Sequence, residues 1–229
     1  MLDQIQQLIE GLQATTHAVA HDLRTPLAEL RGRLEALLRA RPSPEWTLEE
    51  VQEAVDDVDR VIEIFNALLR LAEIDSGTRR SGFRTVDLVE IAAEAAELYR
   101  PVIEERGAEI AVEAPAHCSI EGDPFLIVPA IGNLLDNAAK VAPRGSVVTL
   151  TVAGEGGRSR IVVADRGPGI SDHEKPRVVE RLFRGDAARA TSGVGLGLSV
   201  VAAVARLHGG TLTLEDNDPG LKATISLAA

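Results

Sequence analysis

Apolar residues near the N-terminus fall into two interleaved heptad rows, Ile5, Leu12 and Val19 in one and Ile9, Leu23, Leu30 and Leu37 in the other, broken only by Thr16. A seven-residue spacing keeps each row on one helical face and predicts a long, coiled-coil-like helix over residues 2–40. Arg41-Pro42-Ser43-Pro44 ends it, because proline has no N–H to continue the ladder. Thr47-Leu48-Glu49-Glu50 reads as a capping box that opens a second helix, with Leu48, Val51, Val55, Val58, Ile62, Phe65 and Leu69 inward. Two helices cannot bury such long stripes alone. The hairpin is therefore expected to pair with a second copy as a four-helix bundle, a homodimer.

Beyond Ser76-Gly77 the helical period is lost, and residues 77–86 read as a polar hinge. Asp87-Leu88-Val89-Glu90 opens a helix ending near Gly107, short strands follow at about 108–113 and 117–120, and Asp123-Pro124 caps another helix. Alternating segments at 146–153 and 159–165 predict sheet strands. Residues 166–193 form a long loop, a helix from near Leu196 runs to His208-Gly209-Gly210, and two strands finish the chain. The layout is an α-helical hairpin (1–76), a hinge (77–86) and an α+β sandwich domain (87–229) with its helices on one sheet face.

Composition narrows the partners. The chain has 229 residues, 45% of them hydrophobic and only 3% aromatic, so its cores must be aliphatic. A formal net charge of −11, from 24 basic and 35 acidic residues, repels phosphate backbones and makes nucleic acid an unfavourable partner. The single cysteine, Cys118, has no intrachain partner and no metal-ligand spacing, and reads as a strand residue. No apolar run approaches the roughly 18 residues that span a bilayer, and no basic signal-peptide region opens the chain. A cytoplasmic location is expected.

Two constellations carry chemistry. His21, in Val19-Ala20-His21-Asp22-Leu23-Arg24-Thr25-Pro26-Leu27, lies about 200° around the helix from Val19, on the side away from the seam. Asp22 can take the Nδ1 proton and leave Nε2 as a nucleophile for an electrophilic phosphorus, and Pro26 kinks the helix one turn on. The second constellation is three blocks: Asn133-Leu134-Leu135-Asp136-Asn137, Asp165-Arg166-Gly167-Pro168-Gly169, and Gly193-Val194-Gly195-Leu196-Gly197. Glycines without Cβ let main-chain N–H groups approach an anion, and carboxamide oxygens suit a hard metal ion. Together they describe a nucleotide site.

These blocks, in this order, resemble the N, G1 and G2 boxes of the ATPase superfamily shared by DNA gyrase, a heat-shock chaperone, mismatch-repair proteins and sensor histidine kinases. The His21 segment resembles the H box of sensor histidine kinases, and with it the resemblance runs from about residue 10 to 227. It implies that His21 is the phosphoacceptor, Asp22 its acid/base partner, and Thr25 the residue that orients water for dephosphorylation of a response regulator. It implies Asn137 as the Mg²⁺ ligand, Asn133 on the phosphate side, and Lys140 reaching a phosphate. Asp165 is implied to accept the adenine amino group, with Gly167 and Gly169 passing close to the base and Thr224 supporting the contact, although a strand threonine is equally explained by β propensity. Gly193, Gly195 and Gly197 would present N–H groups at a helix start, and Arg184 would contact phosphates. Val141 stands where relatives carry an aromatic, and Val179 and Leu182 replace the aromatics of the F box.

The implied function is the kinase core of a two-component system: ATP and Mg²⁺ used to phosphorylate His21, then transfer to an aspartate of a response-regulator receiver domain, with phosphatase activity toward it as a further implied activity. The missing sensor suggests the cytoplasmic part of an inner-membrane receptor, or a kinase fed by a separate sensor. Two alternatives stand beside this reading. A chaperone- or repair-type ATPase would need a glutamate base near Asn133, where Ile131-Gly132 precede it. An ATP-binding dimeric scaffold without kinase activity would tolerate the F-box departures.

Overall fold

The computed structural model describes residues 27, 30–32, 34, 35, 44–75, 82–180, 183 and 195–228. The chain divides into two compact units, Met1–Ser76 and Gly77–Ala229. The heptad rows of residues 5–19, the predicted kink at Pro26, and His21, Asp22, Thr25, Arg184 and Gly193 lie outside the described residues.

In the first unit, helix α1 spans Pro44–Asp75. It begins three residues ahead of the expected capping box, with proline in its first turn, where a missing N–H costs nothing. Its apolar residues form two stripes. Ala54, Ile64, Leu68, Leu71 and Ile74 are buried, whereas Val51, Val55, Val58, Ile62, Phe65 and Leu69 are each 42–50% exposed. The stripe of the second helix that the sequence turns inward is thus the one a single chain leaves open.

The second unit contains β1 (Arg84–Asp87), α2 (Leu88–Glu105), β2 (Glu109–Glu113), β3 (Ser119–Gly122), α3 (Pro124–Val141), β4 (Val147–Glu155), β5 (Arg158–Ala164), α4 (Gly197–Leu207), β6 (Thr211–Asp216) and β7 (Leu221–Ala228). A five-stranded sheet has the order β2-β4-β5-β7-β6, parallel only between β2 and β4. The hinge is shorter than expected. Residues 84–86 belong to β1, which pairs antiparallel with β3 in a separate two-stranded sheet.

Alternation along the strands decides which sheet face is covered. Leu150, Val163 and Ala223 lie in one cross-strand row and Val152, Ile161 and Ile225 in the next, and all six are buried. The helices α2, α3 and α4 pack side by side on this face. The opposite rows, such as Thr151, Val162, Thr224 and Thr213, alternate out of that core. Helix starts are fixed by carboxylates: Asp87 Oδ1 accepts from Val89 N at 3.0 Å, and Asp123 Oδ1 from Phe125 N at 2.9 Å, each an N-cap bond. Asp123 also donates its backbone N–H to His208 Nε2 at 3.1 Å, which ties the start of α3 to the end of α4.

Candidate functional site

Asp165 follows β5 directly and, by alternation with Val163, points to the helix-covered face. It is only 5% exposed. Its Oδ1 accepts from Gly167 N at 2.8 Å and from Leu221 N at 3.3 Å. Burial pushes its carboxyl above the usual carboxylate range, and these two N–H donors pull against that rise. With Oδ1 held by the chain, Oδ2 is the oxygen available to accept from an amino group. A buried carboxylate so fixed can read an exocyclic amine on a flat ring.

The glycines beside it are required by space. A Cβ on Gly167 would sit 2.8 Å from Val141 Cγ2 and 2.9 Å from Val141 O, so the loop passes flush against the end of α3. Gly169 has φ +73°, and a Cβ there would lie 3.0 Å from Gly220 O. Gly220 in turn has φ +120°, with a Cβ position 2.0 Å from Asp165 O. No other residue type fits there.

Helix α3 links this end of the site to another. Asn133 lies beside Gly197, whose Cβ position is 3.6 Å from Asn133 Oδ1. From Asn133 to Val141 the helix rises about 12 Å, so it runs from the first residue of α4 to the Asp165 loop. Asn133 and Asn137 are both half-buried and one turn apart, on one face. Lys140 is held by Asp136, Nζ to Oδ2 at 2.6 Å. Helix α4 starts without a side-chain cap on its first-turn N–H groups, and Gly195 just before it has φ +76°. Unpaired N–H groups at a helix start form an anion site.

Thr224 is not placed with this group. It pairs with Val162 and Thr213, on the strand face opposite Ala223 and Asp165. It is a buried member of the β-branched row on the face away from the helices, which is the propensity reading of a strand threonine. The residue on the Asp165 face is Ala223.

The comparisons with known proteins follow this division into units. The family model described as histidine kinase-, DNA gyrase B-, and HSP90-like ATPase matches residues 122–229. The His Kinase A (phospho-acceptor) domain matches residues 11–77. The solved structure of the mycobacterial sensor histidine kinase MprB is 32% identical, and the match covers 64% of this chain and 97% of that one with a TM-score of 0.57. The chain belongs to the sensor histidine kinases. Among curated histidine kinases, SenX3 of Mycobacterium tuberculosis is 34% identical over 92% of this chain and 52% of its own length. The sensor protein CreC of Escherichia coli is 30% identical over 99% of this chain and 48% of its own. The chain therefore spans about half the length of the curated relatives it matches. The Acinetobacter baumannii histidine kinase AdeS, 18% identical with a TM-score of 0.72 over 91% of this chain, has the same fold. As a histidine kinase ATPase module, the C-terminal unit binds ATP.

Sequence reasoning missed the β6–β7 turn of this kinase module. Asn217 Nδ2 donates to Asp165 O at 2.7 Å, and Gly220 abuts the same carbonyl. The Asn217-Asp218-Pro219-Gly220 string signals a turn, but nothing in it points to a residue 52 positions earlier. The end of β6, where this turn begins, also anchors the loop that follows Gly169. Lys175 Nζ bonds Asp172 Oδ1 at 2.6 Å and Asp216 Oδ1 at 2.9 Å, so this cation is engaged beside the strand end. Arg177 lies 4.3 Å over the Phe183 ring, which keeps an aromatic contact within this loop despite Val179. Among the described residues no helix is long and apolar enough to cross a membrane.

Proposed function

We propose that this chain is the kinase core of a two-component sensor, in which ATP phosphorylates His21 and the phosphohistidine then serves a response regulator. The observation that carries the reading is the pairing of two ends by one helix: the buried, N–H-oriented Asp165 carboxylate at one end of α3, and Asn133 beside the uncapped start of α4 at the other. Asp165 accepts the adenine amino group through Oδ2, Gly167 and Gly169 let the loop lie along the base, and Val141 gives it an aliphatic contact. Gly193, Gly195 and Gly197 turn N–H groups toward the triphosphate, where the helix dipole favours negative charge. Lys140 and Arg184 add point charges. To reach a phosphate, Lys140 would exchange its partly buried pairing with Asp136 for the phosphate oxygen.

Asn137 would hold Mg²⁺ through its carboxamide oxygen, a hard-donor fit, with Asn133 one turn away on the same helix face. That ion supplies charge neutralisation on the phosphates. Asp22 takes the Nδ1 proton of His21, Nε2 attacks the γ-phosphorus in line, the bond to the β–γ bridging oxygen breaks, and ADP leaves. The phosphoimidazole passes its phosphoryl group to a receiver-domain aspartate. In the further phosphatase activity Thr25 would orient the water that hydrolyses the receiver's aspartyl phosphate, releasing inorganic phosphate.

The protein works as a homodimer through the open α1 stripe, as the cytoplasmic part of an inner-membrane receptor. Domains at 1–76 and 87–229, with a linker between them, carry the two halves of the reaction. Incubation with γ-labelled ATP and Mg²⁺ tests this: acid-labile, base-stable label is expected on the wild type and absent from His21→Ala. Label that survives His21→Ala, or no label despite nucleotide binding, overturns the reading.

A further inference from the structure

We propose that Asn217, on the β6–β7 turn, is a positioning residue that fixes the Asp165 carboxylate and thereby sets the preference for adenine over other purines. The proposal rests on the reading of Asp165 as the acceptor of the adenine amino group. It starts from an exchange of hydrogen bonds at the end of the sheet. β5 and β7 are antiparallel, and Asp165 N donates to Leu221 O at 3.0 Å, as the next step of their ladder demands. In such a pair the reciprocal bond runs from Leu221 N to the Asp165 carbonyl. Here Leu221 N goes instead to the side chain, Asp165 Oδ1, at 3.3 Å. The buried carbonyl has lost its ladder donor, and Asn217 Nδ2 replaces it at 2.7 Å.

Asn217 is itself fixed. Its own backbone N–H donates to Gly220 O at 3.0 Å, closing the turn, and Gly220 is pressed so close to the Asp165 carbonyl that a Cβ would stand at 2.0 Å. The amide is thus delivered from a closed turn against a backbone with no room to slide. Without its Nδ2 donor the Asp165 carbonyl must go unpaired or reclaim Leu221 N, and an unpaired buried acceptor is the costlier state. Reclaiming the N–H leaves the carboxylate with Gly167 N as its one chain donor, and one bond does not fix rotation of a carboxylate about its Cα–Cβ and Cβ–Cγ bonds. The loss is then felt where the direction of Oδ2 matters, in the contact with the base.

The test compares binding of ADP and inosine 5′-diphosphate, which carries oxygen in place of the amino group, by calorimetry on the full chain, with thermal unfolding alongside. Asn217→Ala and the isosteric Asn217→Asp, which has no N–H to give at neutral pH, are set against Asp165→Asn. Expected is a loss of about tenfold in ADP affinity for both Asn217 variants, with inosine diphosphate affinity unchanged, and loss or inversion of the preference in Asp165→Asn. If Asp165→Asn loses the preference while both Asn217 variants keep it, the positioning role is overturned and the adenine reading survives. If Asp165→Asn keeps it, the adenine reading fails and takes the proposal with it. Equal losses for both nucleotides make Asn217 a structural residue only. Should Asn217→Ala not fold, the Asp variant of the same shape decides.

Discussion

Gly167 has room for a hydrogen and nothing larger, because Val141 contributes both a methyl and a backbone carbonyl within 3 Å of where a Cβ would stand. A methyl added there must move main chain. Gly167→Ala is expected to cost about 1–3 kcal/mol in stability and to weaken nucleotide binding as the Asp165 loop lifts off α3, measurable by urea unfolding and calorimetry. His208 makes a second residue-scale prediction. Its Nδ1–H donates to Val204 O at 2.8 Å and its Nε2 accepts from Asp123 N at 3.1 Å, so the network assigns a neutral ring, stacked on Phe83 with centroids 4.5 Å apart. Burial lowers its pKa, against smaller opposing effects of Val204 O and Asp123. The unfolded chain therefore takes up the proton first. His208's contribution is complete above the ordinary histidine value of 6.5 and is lost as pH falls from there toward the depressed folded value. Urea midpoints from pH 7.5 down to about 5 should fall more steeply for the wild type than for His208→Gln; equal slopes would contradict the assignment. Residue types also show what a sequence conveys at this scale. Asp165 and Gly167 are legible because their chemistry is local, whereas Thr224 was misplaced because strand parity, not residue type, decides which face it serves.

Helix α4 starts without a side-chain cap among the described residues: Leu196 stands where serine or aspartate would cap it. In the proposed site an anion would take the place of that cap. Gly197→Glu tests the trade. The nearest described atoms to its Cβ would be those of Asn133, at 3.6 Å, and a carboxylate at the helix start adds about 0.3–1 kcal/mol to the nucleotide-free protein. The same charge opposes a triphosphate. Thermal stability without nucleotide should hold or rise while ATP affinity falls by about tenfold or more, and retained affinity would remove the start of α4 from the site. Most elements were readable in advance because capping carboxylates and alternation mark them locally, as at Asp87, Asp123 and the β4–β5 pair. The start of α1 was not, since Thr47 offers a capping signal that Pro44 forestalls. Nor was β1: four residues at the edge of a polar stretch become a strand because β3 is there to pair with them.

For the molecule as a whole, the proposed pairing with a second copy rests on the open stripe of α1. Six apolar side chains left near half-exposed would each gain roughly 1 kcal/mol on burial, a sum large enough to hold a second copy. Ile62→Glu combined with Phe65→Glu should convert a dimer to a monomer in light scattering and abolish labelling of His21, while the ATP-binding unit still binds nucleotide. A variant that stays dimeric would place the interface elsewhere. The apolar positions from Leu48 to Leu69 by themselves announced this stripe, because helical periodicity is a property of a single segment and its hydrophobicity is written in residue types. The glycine and asparagine blocks likewise announced a nucleotide site and its family. What the sequence could not supply is everything that depends on two distant segments meeting. The exchange of Leu221 N from carbonyl to carboxylate, the Asn217 amide that makes the exchange possible, and the face on which Thr224 lies follow from the register of β5 against β7. Register is settled by the whole sheet and its helix cover, because a slip of one residue would send every buried side chain of a strand to the wrong face.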